Sequence, residues 1–378
     1  MKPLFPPTRV IFVRHGRSTY NEQGRYQGSS DQAVLSENGR QTAQLVGQAL
    51  QRENIQAIYA SPLKRVRQTV DIILDQLHAE AFTIEFRDEL REIDLPDWEG
   101  LPYQTVRTQQ TEAYRCWIEH PHEFQMELFY PVRALYQRAR QFWQSTLSRH
   151  PGQTLLVVSH GGTIHALIST ALGLTAMQHH CLQQSNCGIS VLEISHPLQA
   201  ARLCQLNDTT VIGESLPKLK AGKQGLRLLF LPMTSDAPTE QVSSLLKSTH
   251  LDFSLRTYNL LSDLQMIGLL GGHPESVQLQ VQRDDFLQVW QHMLKLRAQS
   301  GDSLMTGLVI ATPEKIQILL EQIIGVEHRS LDLKPGTLSV LHFANSQSRP
   351  ILQGLNLQAA QKVQLDAVRS DRRIKQAA

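Results

Sequence analysis

Apolar residues in this chain of 378 residues gather in short unbroken runs, each closed by a polar or glycine-rich turn. Arg9-Val-Ile-Phe-Val13 and Thr154-Leu-Leu-Val-Val-Ser159 lack the polar alternation of a half-exposed strand. They therefore read as strands buried on both faces. Ala57–Ala60 and Ile189–Ile194 read as further strands, and Phe82–Phe86 as an edge strand. Helical spacing of apolar residues recurs over Asn38–Leu50, Val66–Leu77 and about Thr163–Leu172. Strands alternating with helices predict an α/β fold with helices on both faces, a three-layer sandwich around a mostly parallel sheet.

The pattern breaks at a polar stretch holding Gly213, Pro217, Lys218, Lys220, Gly222, Lys223 and Gly225, which reads as a linker over 209–225. It then restarts. Arg227-Leu-Leu-Phe-Leu231 echoes the first strand, and Leu308-Val-Ile-Ala-Thr312 echoes Leu156-Val-Val-Ser-His160. Ile323-Ile-Gly-Val326 echoes Ala171-Leu-Gly-Leu174, and Ser339-Val-Leu341 echoes Ser190-Val-Leu192. Echoes in one order predict a duplicated domain. The expected organisation is a catalytic domain over 1–208, the linker, a degenerate copy over 226–358 and a frayed basic tail over 359–378. Degenerate is meant chemically: Pro232-Met233 stands where Arg14-His15 stands, and Thr312 where His160 stands.

Four polar pieces of the first half fall at expected strand ends or loops, where open α/β sheets collect ligands. They are Arg14-His15-Gly16 with Ser18 and Asn21, Ser61-Pro-Leu-Lys-Arg65, Arg91-Glu92 with Trp98-Glu-Gly100, and Ser159-His160-Gly161. Together they fit cleavage of a phosphate ester through a covalent intermediate. A neutral imidazole can carry a phosphoryl group. Arg14 and Arg65 offer permanent cationic forks for its oxygens, with His160 as a further donor. A carboxylic acid such as Glu92 can protonate the leaving alkoxide. Arginines replace a metal as charge stabilisers, so neither metal nor cofactor is expected.

Bulk properties narrow the class. With 37 basic and 35 acidic residues the formal net charge is +2, which gives no reason to expect a nucleic-acid or membrane partner. The four cysteines form no C-x-x-C pair, which fits a reducing compartment. No apolar run reaches membrane-spanning length, and Met1–Pro7 lacks a signal-peptide core, so a cytoplasmic enzyme is expected.

These motifs resemble the histidine phosphatase superfamily, which includes cofactor-dependent phosphoglycerate mutases and many phosphatases. The likeness runs from about Arg9 to Asn207 and also takes in Gln27-Gly28 and Leu35-Ser36-x-x-Gly39. It implies a phosphoglycerate mutase-like fold, with His15 as the phosphorylated nucleophile and Glu92 as the general acid. It also implies that Arg14, Arg65 and His160 bind phosphate. Asn21, Gln27, Gly28, Ser18 and Gly161 would line the substrate side. Mutases of the family usually carry a longer insertion before the second histidine. Here that interval is 160 − 92 = 68 residues, so the likeness implies hydrolysis, with a mutase as the alternative. Gln27-Gly-Ser-Ser-Asp31, Leu90-Arg-Glu-Ile-Asp-Leu95, Tyr130-Pro-Val-Arg133 and Gln184-Ser-Asn-Cys-Gly188 resemble plant and cyanobacterial 2-carboxy-D-arabinitol-1-phosphate phosphatases. The implied substrate is a phosphorylated sugar acid.

Aromatic residues Tyr114, Trp117, Phe124, Phe129, Tyr130, Phe142 and Trp143 crowd the interval between Glu92 and His160, with Arg115, Arg133, Arg138 and Arg140 among them. They predict a packed helical cap. Arg133, pinned by Pro131, is the candidate for a substrate carboxylate. The second domain is expected to be a dimerisation surface giving a homo-oligomer, a regulatory pocket, or a stabilising partner. A non-catalytic binding module is the alternative for the whole chain.

Overall fold

The computed structural model describes residues 6–77, 83–195, 200–235, 237, 239–258, 260–282, 285–286, 288–290, 303–344 and 349–359. Phe82 of the expected edge strand, and the expected tail beyond residue 359, lie outside the described residues.

The first half contributes β1 (Thr8–Arg14), β2 (Ala57–Ala60), β3 (Ile84–Phe86), β4 (Thr154–Ser159), β5 (Ile189–Ser195) and β6 (Ala200–Asp208). The second contributes β7 (Gly225–Pro232), β8 (Phe253–Thr257), β9 (Val277–Val281), β10 (Leu304–Ala311), β11 (Leu338–Phe343) and β12 (Ile351–Leu357). Among the described residues all twelve belong to one sheet, ordered β3-β2-β4-β1-β5-β6-β12-β11-β7-β10-β8-β9. The chain is a mixed α/β protein. In each half four strands run parallel and the last two are antiparallel.

The unbroken apolar character of β1 is explained by what covers it. Val10 and Phe12 pack with Val132, Leu135 and Phe142 of helix Pro131–Thr146 and with Ile164 and Leu167 of helix Gly161–Ala171. Ile11 and Val13 face the other way, onto Ala43 and Val46 of helix Glu37–Leu50 and Val66 and Val70 of helix Lys64–Leu77. Each such side chain contributes about 1.5–3 kcal/mol by leaving water. The expected helices begin slightly earlier than their apolar patterns. Ser36 accepts from Gly39 N and fixes the start of the first.

Outward from β12, the second half runs β12-β11-β7-β10-β8-β9, the order of β6-β5-β1-β4-β2-β3 in the first. The registers also correspond. Arg14 pairs with Ser159 and His15 N donates to Ser159 O, while Pro232 pairs with Ala311 and Met233 N donates to Ala311 O. The halves join through β6 and β12 in a reciprocal set of bonds. Leu203 N donates to Ser330 O and Leu352 N to Cys181 O, both at 2.8 Å. Asp332 N donates to Leu203 O and Gln183 N to Leu352 O. Asn207 Nδ2 donates to Gln353 O at 2.7 Å and Asn356 Nδ2 to Cys204 O at 2.8 Å. The numbers differ by one constant, 352 − 203 = 330 − 181 = 332 − 183 = 356 − 207 = 353 − 204 = 149. This is the reciprocity of a two-fold contact. Both asparagines sit at left-handed φ, 51° and 55°, which asparagine tolerates better than other side chains.

Asn207→Ala and Asn356→Ala should each lower unfolding stability by about 2 kcal/mol through the loss of buried hydrogen bonds. Urea denaturation of the full chain checks this. Midpoints unchanged from wild type would mean that the junction adds nothing.

Among the described residues no helix is long and apolar enough to cross a membrane.

Candidate active site

The site forms where β1, β2 and β4 end on the same side of the sheet. Parallel strands stop in register there, so the residues that follow them meet. His15 follows β1 and His160 follows β4, and their rings lie 5.2 Å apart, both fully buried. His15 Nδ1 is 2.7 Å from Gly16 O. A carbonyl only accepts, so Nδ1 carries the proton and Nε2 keeps its lone pair. The Gln27 amide nitrogen donates to Nε2 at 3.3 Å. Burial, then Arg65 and Arg14, hold the His15 pKa well below the usual histidine range. The ring is thus neutral at neutral pH, the form that can attack. His160 is held low by burial and by the same cations together with His15. Its Nε2 is 2.8 Å from Ser61 Oγ, and its buried Nδ1 has no protein partner.

Arg14 is the last residue of β1, and its Nη1 donates to Gln184 O at 2.9 Å. Arg65 lies in the first turn of helix Lys64–Leu77, fully buried, and donates to Ser30 O at 3.0 Å and Gly28 O at 2.7 Å. Burial lowers both guanidinium pKa values, that of Arg65 to about 10, while Glu92 acts in the opposite direction. Both stay cationic at neutral pH. The Nε atoms of Arg14 and Arg65 are buried without a protein partner. Unsatisfied buried donors are rare in folded proteins, and here they crowd around two imidazoles.

Glu92 is placed by the N-terminus of helix Gly161–Ala171. Its Oε2 accepts from Gly162 N and its Oε1 from Thr163 N, both at 3.2 Å, and Oε1 also accepts from Ile93 N at 2.9 Å. A Cβ at 162 would lie 2.7 Å from Glu92 Oε1 and would push the carboxylate out of this position. Gly161 opens the same helix beside the Arg14 guanidinium.

The other expected site residues are gathered here in supporting positions. Ser18 caps the helical turn Thr19–Glu22 and closes a capping box with Asn21. Its hydroxyl is 2.5 Å from Gln27 Oε1, so it orients Gln27. Asn21 Oδ1 accepts from Ser18 N and from Asn186 Nδ2. Gly28 brings its backbone against Glu99, whose Oε2 accepts from Gly28 N at 2.9 Å. A side chain at 28 would strike Glu99 and Ile93 O.

Arg133, the candidate for a substrate carboxylate, lies on the cap surface. Its Nε donates to His122 O at 2.5 Å, its guanidinium lies over the Tyr130 ring at 4.4 Å, and the residue is exposed. Arg138, one of the four cap arginines, reaches the site's frame instead. It donates to Arg91 O at 2.8 Å and to the backbone oxygen of Glu92 at 3.0 Å. Most cap aromatics pack together as expected, with Trp98, Trp117 and Phe124 in mutual contact. Two contributors went unassigned in the sequence. Asn186 donates to His15 O at 3.1 Å and bridges to Asn21. Lys220 donates to Gln184 O at 2.5 Å, beside Arg14. Asn186 lies within the quoted Gln184–Gly188 motif, whereas nothing sets Lys220 apart from its neighbours in the linker.

A separate cleft of about 850 Å³ lies at the far end of helix Gly161–Ala171, lined by Gly173, Arg202, Glu327, Arg329 and Asp332. It lies at the opposite end of that helix from the paired histidines.

Comparison with known proteins gives a concordant picture. A sequence model of the histidine phosphatase superfamily (branch 1) matches residues 10–208. A "Probable 2-carboxy-D-arabinitol-1-phosphatase" of Arabidopsis thaliana is 35% identical over 277 residues, 69% of this chain and 56% of that protein. The 2-carboxy-D-arabinitol-1-phosphatase of Triticum aestivum is 37% identical over 195 residues, 52% of this chain and 39% of that one. Phosphoserine phosphatase 1 of Hydrogenobacter thermophilus is 32% identical over 206 residues, 54% of this chain and 95% of that protein. The chain thus spans about half, or less, of the two plant relatives.

Proposed function

Because the chain belongs to the histidine phosphatase superfamily, we propose that it is a phosphomonoesterase acting through phosphohistidine on a small phosphorylated sugar or sugar acid. One observation carries this reading: the unprotonated Nε2 of a buried, neutral His15 stands among Arg14, Arg65 and His160. In the first step Nε2 attacks phosphorus and the P–O bond to the alcohol breaks. Glu92 gives its proton to the departing oxygen. Arg14, Arg65 and His160 hold the three remaining oxygens, where charge concentrates in the transition state. In the second step water attacks the phosphoryl group and the P–N bond breaks. Glu92 takes a proton from that water, phosphate leaves and His15 returns to its neutral form. No step needs a metal.

The names of the plant relatives support the finer assignment to 2-carboxy-D-arabinitol 1-phosphate. We read the second half as a degenerate copy whose task is to cover the β6 edge of the catalytic half. Its matching strand order and the constant offset across the junction support that reading. Buried Met233, where the first half has His15, supports the loss of chemistry. An exposed β6 would otherwise be an open pairing edge.

Wild type should release phosphate from p-nitrophenyl phosphate and from at least one phosphorylated sugar or sugar acid, at a rate unchanged by EDTA. Rapid interconversion of 3- and 2-phosphoglycerate in the presence of 2,3-bisphosphoglycerate would favour the mutase alternative. Binding of a metabolite with no turnover of any ester would favour the binding module.

A further inference from the structure

Lys220 belongs to the polar segment between the halves, yet its ammonium reaches into the catalytic half. Gln184 O accepts from Lys220 Nζ at 2.5 Å and from Arg14 Nη1 at 2.9 Å. One neutral oxygen is therefore shared by two cations, and one of them belongs to the phosphate-binding set. The segment is held in place on either side of this contact. Gln183 Nε2 donates to Lys218 O at 2.9 Å, and Arg227 Nη2, from β7, donates to Pro217 O at 2.6 Å. Lys220 is an exposed residue, yet the protein packed around its ammonium desolvates it. That surrounding protein, with Arg14 nearby, pulls its pKa well below the usual lysine range. Among the described residues the acidic group that bears on it is Glu214, already paired with Lys218 at 2.5 Å.

His165 adds a third nitrogen. It lies four residues beyond Gly161, on the same face of that helix. Its buried Nε2 has no protein partner, and Lys220 and Arg14 are among the charges acting on it. Ser185 Oγ, next to Gln184 in the chain, is also buried without a partner. Two cations that share one oxygen repel unless an anion lies among them, and the neutral His165 ring offers a further nitrogen beside them. A phosphoryl group on His15 would satisfy Arg14 and leave Lys220 and His165 with donors to spare.

Resting on the phosphomonoesterase reading above, we propose that Lys220 and His165 form a second anion subsite for the carboxylate of a phosphorylated acid. Arg14, Arg65 and His160 hold the phosphoryl group of the same molecule. The substrate class is then a short polyhydroxy chain with a phosphate ester at one position and a carboxylate at another. Because the linker supplies Lys220 and β7 anchors the linker, acid specificity depends on the second half being present.

The test compares wild type, Lys220→Met and Lys220→Arg in the full chain on two matched ester pairs. These are 3-phosphoglycerate with glycerol 3-phosphate, and 6-phosphogluconate with sorbitol 6-phosphate. Within each pair a carboxylate is exchanged for a hydroxymethyl group. Wild type should favour the acid in at least one pair, in kcat/KM, by about 10- to 100-fold, the range for a charged hydrogen bond. Lys220→Met should bring that ratio close to unity, and Lys220→Arg should keep most of it. If wild type hydrolyses these esters and Lys220→Met leaves both ratios unchanged, the subsite is wrong and the phosphomonoesterase reading stands. If wild type hydrolyses no ester, p-nitrophenyl phosphate included, the underlying reading fails and takes the subsite with it.

Discussion

Replacing His15 with alanine is expected to lower kcat on any phosphate ester by about 10⁴-fold or more, the range seen when a covalent nucleophile is lost. The side chain is fully buried at the end of β1, so the variant removes a reacting atom from an otherwise framed site. In the proposed mechanism Arg14, Arg65 and His160 still bind the ester, so KM should change much less than kcat. The pH profile carries a second signature. An ordinary histidine nucleophile would lose activity as it protonates near its reference value of about 6.5. Burial and two neighbouring arginines hold His15 far below that value. Wild-type kcat/KM should therefore show no acid limb assignable to His15 near about pH 6.5. Residual turnover in His15→Ala at a tenth of wild type would point to direct attack by water.

Acid should destabilise the fold steeply and early. His15, His160, His165 and His179 are all held well below the usual histidine range, each chiefly by burial. Burial lowers His180 to about 4. In the unfolded chain each of the five titrates near about 6.5. As pH falls below that value the unfolded state takes up protons that the native state refuses. The native advantage is complete above the unfolded pKa and is lost as pH falls from there toward the folded values. Each histidine then costs the native state about 1.4 kcal/mol at about pH 5.5, and five together about 7 kcal/mol. Urea midpoints measured from about pH 7.5 down to about pH 5.5 read this directly. A flat profile over that interval would mean that these rings take up protons in the folded protein.

Much of the first half was legible because its strands are continuous apolar runs that stop at the candidate site residues. Arg14, His15 and His160 could be placed at strand ends without knowing the fold, since β1 and β4 announce where they finish. Arg65 followed from its position just past the short strand Ala57–Ala60. The choice among cap arginines did not follow. Residues 133 and 138 share helix Pro131–Thr146, and five residues turn a helix by about 140°. Pro131 marks where the helix starts and says nothing of which face meets Glu92. The structure turns Arg133 onto Tyr130 and Arg138 onto the backbone of Arg91 and Glu92. Lys220 was illegible for a related reason. Lys218, Lys220 and Lys223 look alike in a polar stretch, and only the anchoring of that stretch by Gln183 and Arg227 selects one. The β6–β12 junction was hidden too, because hydrophobic pattern identifies strands but not which edges meet. The asparagines that close it, Asn207 and Asn356, act through backbone conformation and hydrogen bonds between segments about 150 residues apart in sequence.

The central claim is that His15 carries the phosphoryl group during turnover. The most direct measurement is to mix enzyme with excess substrate, quench in alkali, where phosphohistidine survives, and map the phosphorylated peptide. The account predicts phosphate on Nε2 of His15 within the first turnover, and none in His15→Ala. Turnover with no phosphorylated peptide, or phosphate on any other residue, would contradict it.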